Sequence, residues 1–182
     1  MEYERLIKEC SAQKRTAQEE LYRQFKDVLY SICLKYCRNE DEAKDILHNA
    51  FIEIFFNIRK FSGKGSFEGW LKRITINKAI DSYKKSLQIV PIKEDYFEEV
   101  TVPEEDLEIS AEEILLLVQE LPNQYRLVFN LYELDDYSHQ QISKMLGISE
   151  STSKSNLHRA KLILREKIIS KNPIQYKSGY GK

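Results

Sequence analysis

The 182-residue sequence contains no run of about 18 apolar residues, the length that a membrane-spanning helix requires. Its first residues, MEYERLIKECSAQKR, are charged and lack the apolar core of a secretory signal. From these two absences we expect a cytoplasmic protein that does not insert into a membrane by itself.

Cysteine is scarce, and the three that occur, Cys10, Cys33 and Cys37, include no CxxC pair. An odd number of thiols without such pairs argues against a disulfide scaffold and indicates a reducing compartment. Cys33 and Cys37 are four residues apart, so they could face each other on one helix. Because no second group of ligands accompanies them, the sequence favours two core residues over a metal or redox site.

Motifs typical of enzymes are also missing. The chain has no glycine-rich phosphate loop, no HExxH and no Ser-His-Asp order with supporting motifs. Paired acids such as Glu98-Glu99 and Glu104-Glu105 lie where nothing would hold them in place. We therefore expect a protein that is not an enzyme and that uses no metal or other cofactor.

The formal net charge of −1 conceals three blocks of different charge. Residues 1–90 carry 17 lysines and arginines against 13 acids, residues 91–120 carry 1 against 11, and residues 121–182 carry 10 against 5. Two mildly basic blocks therefore flank an acidic one. This near-neutral total predicts modest nucleic-acid binding by the isolated chain, which would need a partner or a conformational change to bind well.

Hydrophobic periodicity predicts a bundle of helices in the first block. Thr16 with Glu19 has the pattern of a capping box and should start one helix, and Asn39 with Glu42 should start a second, which runs to about Arg59. The apolar residues of the second helix are Ala43, Ile46, Leu47, Ala50, Phe51, Ile54, Phe55 and Ile58. A face this broad must be buried, so we expect the two helices to pack together.

The stretch FSGKGSF at residues 61–67 has two glycines and two serines and predicts a loop. Ser66 can cap a third helix that runs to about Lys85. That helix interleaves aromatic and cationic residues, namely Phe67, Trp70 and Tyr83 with Lys72, Arg73, Lys78, Lys84 and Lys85. Rings that stack on bases beside cations that follow the backbone suit single-stranded nucleic acid. Taken alone, the same spacing favours core residues of a three-helix bundle with solvated lysines.

Residues 138–167 have the pattern of a helix-turn-helix. Ile142 and Leu146 recur at helical spacing, Gly147 suits a tight turn, and Ser149 can cap the second helix. The apolar stripe of that helix is Leu157, Ala160, Leu164 and Ile168. Its opposite face carries Ser151, Lys154, Ser155 and His158, with Arg159 at the border. A helix-turn-helix presents such groups to the DNA major groove, whereas an ordinary helical hairpin would leave them in solvent.

Sequence patterns divide the chain into four segments. Two further short helices are predicted between Ala111 and Leu134, which makes a four-helix unit with the helix-turn-helix. We predict an all-α protein in which a three-to-four-helix domain (residues 1–86) and this four-helix domain (111–172) are joined by an acidic flexible linker (87–110). Residues 173–182 are predicted to form a mobile tail. His139, which starts the helix-turn-helix, is predicted to lie at the surface.

Four motifs occur in order along the chain. They are Asp45-Ile-Leu-His-Asn-Ala-Phe51, the 61–67 loop followed by Trp70-Leu-x-Arg73-Ile-x-x-Asn77, Glu120-Leu-Pro122 with Tyr137-Ser-x-x-x-Ile142, and Gly147-Ile-Ser149 before the recognition helix. Together they resemble bacterial RNA polymerase sigma factors of the extracytoplasmic-function (ECF) type, the small class that has only regions 2 and 4. The resemblance covers roughly residues 10–86 and 111–168.

The resemblance implies a promoter-specificity subunit with three interaction sites. The set implied to dock on the clamp of core RNA polymerase is Asp45, His48, Asn49 and Phe51, where His48-Asn49 replaces the family's common Gln-Glu. The set implied to recognise and open the minus-ten element is Phe61, Lys64, Ser66, Phe67, Trp70, Arg73, Asn77 and Lys78. The set implied to read the minus-thirty-five element is Ser151, Lys154, Ser155, His158 and Arg159.

Partners implied by the resemblance are the clamp and flap of core RNA polymerase, promoter DNA and an anti-sigma factor. The acidic linker is implied to follow the path of nascent RNA through the polymerase. Lys154 and Asn156 stand where the family often has arginine, and lysine cannot make arginine's bidentate contact to guanine. The sequence therefore leaves the promoter sequence open.

A conventional helix-turn-helix regulator with an amino-terminal sensing or dimerisation domain is the alternative. Such a protein needs neither a clamp-docking helix nor a strand-opening segment in residues 39–86. A duplex promoter with a fluorescent base in the minus-ten region separates the two hypotheses, since with core polymerase only a sigma factor should open it.

Overall fold

The computed structural model describes residues 3–86 and 109–171, and every regular element within those ranges is helical. The chain divides into two compact units, Met1–Gln88 and Ile89–Lys182. The predicted all-α class is confirmed. The acidic linker predicted for residues 87–110 lies outside the described residues except for its last two, and the tail predicted for 173–182 lies wholly outside them.

The first unit is a bundle around three long helices. Its helices are α1 (Glu4–Ser11), α2 (Arg15–Tyr36), α3 (Glu40–Asn57) and α4 (Phe67–Ser86), and a 3-10 turn spans Ile58–Lys60. Helices α2, α3 and α4 pack against one another, while α1 packs on α2 and on the 3-10 turn. The large side chains fully buried between them are Leu21, Leu29, Ile54, Ile58 and Leu71. Burial of these apolar faces is the main source of helix stability here.

The structure confirms one of the two helix caps predicted for α2 and α3. Asn39 caps α3, because its side-chain oxygen accepts a hydrogen bond from the backbone N–H of Glu42 at 2.9 Å, as predicted. The predicted capping box at Thr16 is wrong. Helix α2 begins at Arg15 after Lys14, with no side-chain cap, and Glu19 pairs with Arg15 at 2.9 Å instead of reaching back. The helix starts earlier because the Lys14 carbonyl oxygen accepts hydrogen bonds from the backbone N–H groups of Ala17 and Gln18, both at 3.1 Å.

The loop before α4 has the predicted character. Gly63 and Gly65 both have left-handed backbones, with φ of 75° and 81°, which glycine adopts without steric cost. Ser66 caps α4 through a 3.0 Å hydrogen bond from the backbone N–H of Gly69 to its hydroxyl oxygen. The loop therefore ends at a defined residue, and α4 leaves it in a fixed direction.

The second unit is organised around its last helix. Its helices are α5 (Ala111–Gln119), α6 (Asn123–Phe129), α7 (His139–Leu146) and α8 (Glu150–Lys171), and a π-helical turn spans Asn130–Leu134. Helices α5, α6 and α7 all pack on α8. One core cluster joins α5 to α8 through Leu117, Val118, Leu121, Ala160 and Leu164. The predicted four-helix unit is thus present.

The helix-turn-helix formed by α7 and α8 follows its local sequence signals. Ser138 and Gln141 form a reciprocal capping box at the start of α7. Gly147 ends α7 with a φ of 71°, and the Ser149 hydroxyl oxygen accepts the backbone N–H of Thr152 at 3.0 Å to cap α8. Ile142 and Leu146 are buried beneath the turn. The predicted helix, turn and helix are therefore confirmed in their places.

Candidate docking and nucleic-acid interfaces

Helix α3 has one buried and one exposed face. Asp45, His48 and Asn49 are all exposed on the outer face, because residues three and four apart share one side of a helix. Phe51 lies on the opposite side and is only 3 % exposed, with its ring 4.7 Å from that of Tyr22. The expectation that Phe51 takes part in docking is corrected, since its ring packs inside the bundle.

Two large apolar residues continue the exposed row of α3. Ile52 is 55 % exposed and Phe56 is 80 % exposed, one and two helical turns beyond Asn49. Neither residue was predicted to have a role. Their position off the core stripe, in register with Asp45 and Asn49, was the signal that could have identified them. Both are large apolar side chains that the fold of the unit leaves in water.

A groove of about 560 Å³ lies beside this row, between α3 and α4. Its α3 wall includes Asn49 and Ile52, and its α4 wall includes Lys78 and Lys84. Across it, the Lys78 ammonium pairs with the Glu53 carboxylate at 2.8 Å, and this hydrogen-bonded pairing holds the pKa of Glu53 below its ordinary value. The outer face of α3 therefore combines apolar and charged groups.

The 61–66 loop and the first turns of α4 form a second surface. Phe61 and Trp70 are half-buried with ring centroids 5.6 Å apart, so each ring keeps part of its area accessible. Around them, Lys64, Ser66 and Arg73 are exposed. Asn77 is exposed one turn further along α4, and Lys78 is the half-buried residue that pairs with Glu53. The fold thus brings seven of the eight predicted minus-ten residues to accessible positions.

Phe67 is the exception on this surface. It is 5 % exposed, and its ring lies between those of Tyr3, Phe25, Phe61 and Trp70, at centroid distances of 5.6, 5.9, 5.2 and 5.9 Å. A ring surrounded in this way has no face free for a base. The expectation of direct DNA contact by Phe67 is corrected, and the residue supports its neighbours instead.

The start of α8 carries the predicted recognition residues. Ser151 and Lys154 are exposed, while Ser155, His158 and Arg159 are half-buried. The Arg159 guanidinium donates a hydrogen bond to the hydroxyl oxygen of Tyr125 on α6 at 3.1 Å. This bond limits the orientations of Arg159, so its position is partly set by the domain core.

Two polar residues of the helix-turn-helix have surroundings that the sequence did not suggest. Asn156, which the resemblance places where arginine is frequent, is fully buried, and its side-chain oxygen and nitrogen have no hydrogen-bond partner among the described residues. His139, predicted at the surface, is half-buried: Nδ1 lies 2.9 Å from the Ser153 hydroxyl and the ring stacks on Tyr132 at 4.4 Å. Burial, and then the charge of Lys154, lowers the pKa of His139.

The thiols and acids offer no metal site in the part of the chain that the structure describes, where no group of three or more His, Cys, Asp or Glu residues comes together. Cys10, Cys33 and Cys37 are buried and are not joined by disulfides, and burial raises the pKa of Cys33 to about 12. Across residues 3–86 and 109–171, no helix has both the length and the apolar character to span a bilayer.

Both structural units match families of known proteins. Residues 21–87 match the family model described as Sigma-70 region 2, and residues 111–164 match Sigma-70, region 4. The chain is 30% identical over 164 residues to the ECF RNA polymerase sigma factor SigW of Bacillus subtilis, covering 79% of this chain and 84% of that one. It is 29% identical over 156 residues to the ECF RNA polymerase sigma factor SigE of Mycolicibacterium smegmatis, covering 81% of this chain and 60% of SigE.

A solved structure supports the fold. The sigma factor RpoE from Bartonella quintana, crystallised in complex with the anti-sigma factor NepR, superposes with a TM-score of 0.53 at 15% identity, covering 84% of this chain and 96% of that one. Region 2 and region 4, each a separate helical unit, define the sigma-70 class of promoter-specificity subunits of RNA polymerase. Within that class, the chain belongs to the ECF sigma factors. The alternative of a conventional regulator is therefore set aside.

Proposed function

We propose that the outer face of α3 docks on the clamp of core RNA polymerase through Asp45, His48 and Asn49, and that Ile52 and Phe56 extend the contact. The observation that carries this assignment is the row of exposed residues that ends in Phe56, 80 % exposed. Water contact with large apolar side chains is unfavourable, and interface energy concentrates on such residues when a partner buries them. Polar neighbours then set the register of docking.

The second part of the proposal assigns strand opening to the loop and α4. Phe61 and Trp70 supply rings on which an unstacked base can lie, and Lys64 and Arg73 supply charge for the phosphates of the minus-ten strand. Ser66, Asn77 and Lys78 complete the surface as hydrogen-bond donors. The half-exposed rings and the exposed cations around them support this role.

The third part assigns the minus-thirty-five element to α8. Ser151 and Lys154, at its exposed start, and Ser155, His158 and Arg159 along the same side suit the major groove. Lys154 would act as a point charge toward a phosphate or a single base edge, because an ammonium cannot make a bidentate fork. The second unit would also contact the polymerase flap.

We also propose a cellular location and binding partners for the protein. The protein would act in the cytoplasm as a non-catalytic subunit, with core polymerase supplying the chemistry. An anti-sigma factor is a fitting partner, since the sigma factor RpoE of Bartonella quintana was crystallised with one. The acidic linker, which would follow the RNA path, falls outside the described residues.

Strand opening is tested with reconstituted holoenzyme and a duplex promoter that carries a fluorescent base in the minus-ten region. We expect Asn77→Ala to slow opening while its affinity for core polymerase stays at the wild-type value. Gln24→Ala, the loss of an exposed amide on α2, is the matched control and should change neither. Equal loss of opening and of core binding in Asn77→Ala would contradict the assignment.

Docking is tested by competition for core polymerase. Asp45→Arg should abolish competition, and Phe56→Ala should weaken it about tenfold or more, the effect of removing an interface anchor. Asp27→Arg introduces the same charge reversal at an exposed position on α2 and should leave competition unchanged. If Asp45→Arg competes as well as wild type, another surface docks on the polymerase.

A further inference from the structure

Helix α1 contacts the chain on both sides of the 61–66 loop. Before the loop, Nε of Arg59 in the 3-10 turn donates a hydrogen bond to the carbonyl oxygen of Ser11 at 2.8 Å. After the loop, the ring of Tyr3, which precedes α1, lies 5.6 Å from the ring of Phe67. The two ends of α1 therefore hold the two ends of the loop.

Aromatic contacts continue from Tyr3 to the surface. Phe67 lies 5.2 Å from Phe61 and is stacked on Trp70 at 5.9 Å, with an angle of 15° between the ring planes. Phe25 supports Tyr3 from α2 at 5.4 Å. A single buried ring thus separates Tyr3 from both rings that we assign to strand opening.

The 61–66 loop is a segment whose ordering on a ligand would be costly unless its ends are fixed. Gly63 and Gly65 give it a backbone with many accessible conformations, and ordering such a segment on a ligand costs conformational entropy. Fixing both ends beforehand reduces that cost, which is the physical meaning of preorganisation. Helix α1 is itself anchored in the bundle, since Leu6 is 4 % and Cys10 is 1 % exposed.

We infer that α1 is a brace that holds the 61–66 loop ready for the opened strand, and that Tyr3 is its positioning residue. This role lies outside the residues that match the region 2 family model, which begin at residue 21. The inference rests on the proposed role of Phe61 and Trp70. Tyr3 itself contacts other rings of the protein and acts on DNA only through them.

The chain's single tryptophan, Trp70, reports directly on the brace. In the full-length protein, Tyr3→Ala should make Trp70 fluorescence more quenchable by acrylamide while the far-ultraviolet circular dichroism stays at the wild-type value. In holoenzyme, the same variant should open the minus-ten duplex about three- to tenfold more slowly, the scale of a lost aromatic pair. Tyr3→Phe keeps the ring and should restore both readouts.

Tyr22→Ala is the matched control, because it removes a ring of the same unit that packs on Phe51 at the α2–α3 contact. It should leave Trp70 quenching unchanged. If Tyr3→Ala leaves Trp70 quenching and duplex opening unchanged while Asn77→Ala slows opening, the inferred role of α1 is wrong and the proposed function stands. If neither variant slows opening, the proposed function fails. Loss of helicity and core binding in Tyr3→Ala, without rescue by Tyr3→Phe, would reduce Tyr3 to a folding role and overturn the inference.

Discussion

Single residues with the same chemistry have different surroundings in this protein, because some are buried and others are exposed. Phe51 and Phe56 lie five residues apart on α3, yet Phe51 is 3 % exposed and Phe56 is 80 % exposed. Phe67 and Trp70 show a smaller contrast on α4, since Phe67 is buried and Trp70 is half-buried. Residue type alone would place all four in the core, and only the direction of each side chain separates packing from binding.

Thiol reactivity is predicted at this scale. Burial raises the pKa of Cys33 to about 12 and that of Cys10 to about 11, so both remain protonated at neutral pH, and the reactive species is the thiolate. In native protein near pH 8, a thiol-reactive disulfide should label these residues far more slowly than in urea-unfolded protein. Rapid labelling of the native state, measured by mass spectrometry, would show that they are accessible.

Asn156 gives a prediction about stability. A fully buried amide without partners costs about 1–3 kcal/mol, and leucine has the same branching without the polar atoms. We expect Asn156→Leu to raise the free energy of unfolding by about 1 kcal/mol in urea titrations. Asn156→Ala is the comparison and should lower it, because a cavity remains. A lower value for Asn156→Leu would mean that the amide has a polar partner in solution.

At the scale of elements, local sequence signals determine where most helices begin. Asn39, Ser66 and Ser149 each cap the helix that the sequence predicts them to start. A cap needs only one side chain and a backbone N–H two or three residues ahead, so it can be identified in the sequence. The turn between α5 and α6 is different, because its stability comes from a residue further along the chain.

Arg126 stabilises that turn. It is 3 % exposed, and its guanidinium donates hydrogen bonds to the carbonyl oxygens of Gln119 and Leu121 and to the side chain of Asn123. Arg126→Met should lower the free energy of unfolding by about 2–4 kcal/mol, since it leaves buried carbonyls unpaired. Arg15→Met, at a side chain that is 90 % exposed, is the control and should have little effect. Equal urea midpoints for the two variants would contradict this role.

At the scale of the whole molecule, each unit has its own core. The first is centred on α2, α3 and α4, and the second on α8. The two units also carry different proposed tasks, polymerase docking with strand opening in one and duplex reading in the other. Separate cores make separate folding possible.

Fragments test this independence. Residues 1–88 and residues 89–182, produced separately, should each give helical circular dichroism and a cooperative thermal transition. The first fragment should still compete for core polymerase, and Asp45→Arg in that fragment should abolish the competition. A fragment that remains unfolded until the other is added would show that the units depend on each other.

Much of the fold was predictable because it depends on short-range patterns. Apolar residues at helical spacing indicated the long helices, and Gly147 between two such patterns indicated the turn of the helix-turn-helix. The start of α2 was predicted wrongly, since α2 begins at Arg15 and no side chain caps it. Helix α1 itself was not assigned, and its role beside the loop depends on residues more than forty positions apart, Ser11 and Arg59.

The amino-acid sequence by itself determined the helical class, the apolar face of α3 and the helix-turn-helix, because capping and periodicity act over a few residues. Tertiary structure alone decided which aromatic rings remain accessible, that Asn156 and Arg126 are buried, and that α1 packs on the 3-10 turn beside the 61–66 loop. The physical reason is that burial depends on which neighbours arrive from distant parts of the chain, and no local pattern contains that information.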